Sequence, residues 1–122
     1  MAVIEIIVGD TEKTGNCVKI EYGGSPSELY EQHLRILKDA AEKGEEEINI
    51  AGAEAGENRS KLFQTATQGL MAAKWHGNNY ELPAVIRFVC GSEEAANMYK
   101  TAYNYWIADD HDKRMEVPHH HD

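Results

Sequence analysis

Two glycines four residues apart, Gly52 and Gly56, separate a short apolar run at 48–51 from a stretch with helical periodicity that begins near Asn58. A chain that turns sharply before a helix can aim backbone N–H groups at an anion. Glycine lets a ligand approach without a Cβ in the way, and the helix start adds unpaired donors and a partial positive charge. Gly52, Ala53, Gly56 and Asn58 are therefore candidates for holding a phosphate. The same residues also read as a plain strand-to-helix connection in which the glycines only make the turn, and Glu54 and Glu57 put negative charge where a phosphate would sit.

Two further turns follow apolar runs. Asp10 ends the run at 2–8, where its carboxylate can accept hydrogen bonds from a ligand or close an Asx turn on the next amides. Gly91 and Ser92 end the run at 84–90, with Ser92 as a helix cap. By the rule for open α/β sheets, ligands sit beyond the carboxyl ends of the strands, so these turns converge on one crevice. The sequence points to no catalytic residue, no metal site and no cofactor, because no nucleophile–base pair is identifiable and His33, His76 and His111 are scattered. Cys90 reads as a small buried hydrophobe, and His119–His121 as a polar tail or tag remnant.

The chain has 122 residues and is 42% apolar, which suits one domain with a single core. A formal net charge of −9 argues against nucleic-acid backbones and anionic membranes as partners. Two cysteines without C-x-x-C spacing, and no apolar run long enough to span a bilayer, suggest a soluble, cytoplasmic protein. The domain is expected over 1–110, with a polar, unpacked tail at 111–122.

The positioning elements alternate. Residues 2–8 and 84–90 are nearly continuous in hydrophobicity, as in strands covered on both faces, and 18–22 alternates, so the first two strands could pair as a hairpin. Arg87 interrupts the last strand and requires a carboxylate partner or a route to solvent. Ser25-Pro26-Ser27-Glu28 is a capping-box start for a helix with a stripe of Tyr30, His33, Leu34, Leu37, Ala40 and Ala41, closed by Gly44. A second helix, capped by Asn58 or Ser60, carries Leu62, Phe63, Ala66, Leu70 and Ala73, and residues 75–83 read as an aromatic polar loop. The third carries Ala95, Met98, Tyr99, Ala102, Tyr103 and Trp106. The order β-β-α-β-α-β-α predicts a three-layer α/β/α domain with a mixed, mainly parallel sheet.

Several segments resemble the macro domain, the ADP-ribose-binding α/β module. IEIIVGDT is similar to the family's first strand with its Gly-Asp-Ile-Thr. VKIEYGGSPSELYEQHLRILKDAAEKG, EINIAGAEAG and VIRFVCGSEEAANMY resemble its later strands, Gly-rich loop and last helix. The resemblance implies Asp10 for a base, and Gly52 with Gly56 for a diphosphate. The family's Asn-Ala-Ala-Asn segment is missing, so hydrolase activity is not implied. The resulting expectation is a small module for a nucleotide or ADP-ribose-like ligand. The alternative is a degenerate domain serving protein–protein contact or assembly, including a homo-oligomer.

Overall fold

The computed structural model describes residues 2–15, 17–21, 24–54, 58–108 and 113–117. In chain order the elements are β1 (Val3–Val8), β2 (Cys17–Val18), α1 (Pro26–Glu42), β3 (Glu47–Ala51), α2 (Arg59–Asn79), β4 (Val85–Cys90) and α3 (Glu93–Trp106). The four strands form one sheet in the order β1-β4-β3-β2, and every pairing is parallel. The fold is α/β. No helix among the described residues is long and apolar enough to cross a membrane.

Strand periodicity divides the sheet into two unlike faces. One carries Ile6, Ile48, Ile50, Ile86, Phe88 and Cys90, all in the buried core. The His33 ring of α1 lies 6.2 Å from Phe88, the Tyr99 ring of α3 lies 5.4 Å from it, and Gly69 of α2 packs against His33. These contacts place the helices over the Phe88 face. The other face carries Glu5, Asn49 and Arg87, and Arg87 donates to Glu5 Oε1 at 3.0 Å, Asn49 Oδ1 at 2.9 Å and Glu47 Oε1 at 3.4 Å. Of the two outlets open to Arg87, the carboxylate is thus present as a cross-strand neighbour in register, since Glu5 lies opposite Arg87 on β1.

The connection from β1 to β2 corrects the hairpin and, with it, the mixed sheet. Instead of folding back beside β1, residues 10–15 cross the polar face to the far edge, where Asn49 Nδ2 donates to the Gly15 carbonyl at 3.1 Å. β2 then pairs with β3, with Cys17 opposite Asn49 and Val18 opposite Ile50. The strand is shorter than the alternation implied because the Gln32 side chain takes the Glu21 backbone: its Oε1 accepts from Glu21 N at 3.1 Å and its Nε2 donates to Glu21 O at 3.0 Å. Tyr22 lies outside the described residues. β1 itself is an edge strand, with Val3 and Val8 exposed.

Helix starts follow local chemistry. Ser25 Oγ accepts from Glu28 N at 3.3 Å and Pro26 occupies the first turn, while Gly44, at φ +74°, takes the left-handed conformation that ends α1. The buried face of α1 is Leu29, His33, Leu37 and Ala40, rotated slightly from the expected stripe. α2 continues through Trp75, His76 and Gly77, residues expected in a loop, for tertiary reasons. His76 is buried, its Nε2 contacts the Leu82 carbonyl at 2.9 Å, and its ring stacks on Tyr80 at 4.5 Å. Gly77 lets β1 approach: a Cβ there would lie 2.8 Å from that of Ala2.

The described part of the tail is tied down, contrary to expectation. Met115 packs on the core, its N–H donates to Asn104 Oδ1 at 2.6 Å, and its carbonyl accepts from Asn104 Nδ2 at 2.7 Å. Residues 109–112 and 118–122, including His111 and His119–His121, lie outside the described residues.

Candidate functional site

A cavity of about 700 Å³ opens at the carboxyl ends of the strands. Its buried lining is apolar, formed by Ile20, Ala51, Ala53 and Leu62, and its exposed lining is charged, with Glu12, Lys19, Glu54 and Lys61. Thr65 lines it from α2, but its hydroxyl is already committed, donating to the Lys61 carbonyl at 2.9 Å. The first turn of α2 borders the cavity at Asn58 and Lys61 and contains no acidic residue. The Lys61 N–H is taken by the Asn58 side chain at 3.0 Å, so what the helix start offers an anion there is the positive end of its dipole and the Lys61 ammonium.

Of the residues expected from the sequence, Gly52, Ala53, Asn58 and Gly91 line this cavity. Three have structural duties as well. The Gly52 N–H donates to the Val89 carbonyl at 2.8 Å, and the Ala53 N–H donates to the Tyr99 hydroxyl at 2.9 Å. Neither amide points a free donor at a ligand, so the phosphate role read from Gly52 and Ala53 does not fit this geometry. Gly52 does not adopt a positive φ either: Gly44 is the positive-φ glycine among the described residues. What Gly52 provides is close packing, because a Cβ there would sit 3.0 Å from Cys90 Sγ and 3.3 Å from the Val89 carbonyl. Asn58 caps α2, its Oδ1 accepting from Lys61 N at 3.0 Å.

Ser92 is the cap of α3, its Oγ accepting from Ala95 N at 3.2 Å, and it does not line the cavity. Asp10 is exposed and closes an Asx turn: its Oδ1 accepts from Glu12 N at 2.9 Å, and its backbone carbonyl accepts from Lys13 N, Thr14 N and Thr14 Oγ1. The neighbours that this turn sets, Thr11 and Glu12, reach the cavity while Asp10 does not. Gly56 and Glu57 lie outside the described residues.

The sequence reading overlooked Lys19, Ile20, Lys61, Leu62 and Thr65 as cavity residues. Lys61, Leu62 and Thr65 could have been found by projecting the start of α2 onto the turn before it. No local signal brings Lys19 and Ile20 there, since that depends on the chain crossing the sheet. Cys90 is fully buried and does not line the cavity, and burial pushes its thiol up to about 12, as in a small buried hydrophobe. His33 and His76 are both buried in helix packing and neither lines the cavity. The sequence matches no protein-family model and no curated protein.

Proposed function

We propose that the domain is a binding module for a nucleotide or ADP-ribose-like ligand held in the cavity at the carboxyl ends of the strands. One observation carries this reading: an N-terminal helix turn free of acidic residues opens on about 700 Å³ of space, with Lys19 and Lys61 in its exposed lining. Phosphate oxygens would sit at the positive end of the α2 dipole, with the Lys61 and Lys19 ammonium groups as charge partners. The apolar lining of Ile20, Ala51, Ala53 and Leu62 suits the face of a base or ribose, and Glu12 and Glu54 are placed to accept from hydroxyls or an exocyclic amine. The anchor is thus one element further along the chain than the glycine turn. The macro-like resemblance belongs to the same proposal, and so does a three-layer α/β/α arrangement, which needs a helix over the Arg87 face where the described chain has the crossing residues 10–15.

The test is differential scanning fluorimetry with ADP-ribose, ADP, AMP and NAD. A ligand at 100 times its dissociation constant adds about 2.7 kcal/mol, several degrees for a domain of this size. Lys61→Gln should shrink the shift while leaving the unliganded melting temperature within a degree or so. The absence of any shift, at about 1 mM of each ligand, would overturn the proposal.

A second reading has its own support. Trp75, Tyr105 and Trp106 are 48%, 72% and 46% exposed, and exposed aromatics of this kind mark protein contacts. A protein-contact domain would give a defined oligomer by light scattering and no response to nucleotides.

A further inference from the structure

The first turn of α2 borders two spaces. Beside the cavity, a groove of about 520 Å³ runs along α2 from Asn58 past Phe63 to Thr67 and ends at Trp106 of α3. Asn58 and Lys61 line both spaces. The groove also holds a polar group left without a partner. Thr67 is 7% exposed and its Oγ1 makes no hydrogen bond, whereas the hydroxyls of Thr65 and Thr101 each donate to the carbonyl four residues back, at 2.9 and 2.8 Å. A buried hydroxyl that forgoes this local bond is costly unless a ligand or solvent group supplies a partner. It is screened from solvent in the groove as it stands, so a ligand would reach it through a shift of the groove's lining. At the groove's end Trp106 presents a half-exposed indole, and Phe63 a half-buried ring, both able to stack a planar group.

We propose that the ligand is two-headed: a phosphate anhydride or diester with a ring-bearing group on each side, of the dinucleotide class. Its phosphates sit on the first turn of α2 and Lys61, one head fills the cavity, and the other lies in the groove against Trp106 and Phe63 with a polar atom on Thr67 Oγ1. This rests on the binding-module reading and names the ligand class for it. A mononucleotide fills only one of the two spaces and should bind more weakly, roughly tenfold for one lost stacking contact.

Trp75 and Trp106 are the two tryptophans of the chain, so Trp75→Phe leaves Trp106 as the sole indole reporter. In that background NAD, ADP-ribose, ADP and AMP would be titrated, following both indole fluorescence and thermal shift. NAD and ADP-ribose should quench Trp106 and bind about tenfold tighter than AMP. Trp106→Ala, read by thermal shift, should reduce them to the AMP level, and Thr67→Val should weaken them while leaving AMP unchanged. Equal affinities for all four without quenching, or dinucleotide binding indifferent to Trp106→Ala, would overturn the two-headed ligand and leave the binding module standing. A failure of all four to bind would overturn both.

Discussion

Replacing Gly52 with alanine should destabilise the fold by about 1–3 kcal/mol through overpacking rather than backbone strain. A new Cβ would stand 3.0 Å from Cys90 Sγ, 3.3 Å from the Val89 carbonyl and 3.4 Å from Tyr99 Cε1, and all three are parts of the central packing. None can retreat easily. The Val89 carbonyl accepts the Gly52 N–H at 2.8 Å, Cys90 is fully buried on β4, and the Tyr99 hydroxyl holds the Ala53 N–H. For a domain of this size the loss corresponds to a fall in melting temperature of roughly 4–15 °C, measurable by thermal unfolding and by urea titration. The cause can be isolated with Cys90→Ala, which removes the nearest atom. The double variant should be more stable than the two single losses added together, by about 0.5 kcal/mol or more. If Gly52→Ala unfolds like the wild type, or if the two losses simply add, the close approach of β3 to β4 is not what requires glycine here. The expectation also disqualifies bulky replacements at Gly52 as probes of ligand binding, because they would act on the fold first.

Two further outcomes follow from buried titratable groups. His33 is fully buried, its Nδ1 faces the Leu29 carbonyl at 2.7 Å, its Nε2 has no partner, and burial pushes its pKa below the ordinary 6.5. The unfolded chain therefore takes up a proton that the folded chain resists, so its contribution is retained above pH 6.5 and lost below it, at up to about 1.4 kcal/mol per pH unit. Urea unfolding at two pH values on either side of 6.5 should show this loss, and His33→Leu should flatten it; an identical pH response in the variant would refute the assignment. The cysteines differ in access: Cys17 is half-buried and Cys90 is buried with its thiol raised to about 12. An aromatic disulfide reagent near pH 8 should modify Cys17 in the native protein and Cys90 only on unfolding, so equal fast rates would show that the core around β4 is open.

Helix starts were legible in the sequence because capping is local: Ser25, Asn58 and Ser92 each accept from an N–H three residues on. Strand positions were legible from their β-branched runs, but strand partners were not. Near-continuous hydrophobicity marked 2–8 and 84–90 alike as strands covered on both faces, yet β1 lies at an edge and β4 inside the sheet, since periodicity reports how a side chain is buried and not which backbone lies beside it. The end of α2 was misread because Trp75, His76 and Gly77 are weak helix formers in isolation. His76 against Leu82 and Gly77 against Ala2 override that preference. In the candidate site, Gly52 was read either as a ligand-facing amide or as a plain turn, whereas it serves close packing against β4, because a glycine needed for close packing looks the same in sequence as one needed for either of those.

By itself the sequence determined what short-range chemistry can enforce: an α/β alternation, the approximate starts of three helices, and turns that follow the apolar strands. The tertiary structure decided which of those turns has donors to spare. Val89 and Tyr99, 37 and 46 residues from the amides they engage, occupy Gly52 and Ala53. The loop at 10–15, crossing the sheet instead of returning along it, leads the chain to Lys19 and Ile20 at the cavity. Hydrogen bonds between residues so distant in the chain depend on the packing of the sheet, and no local pattern encodes them.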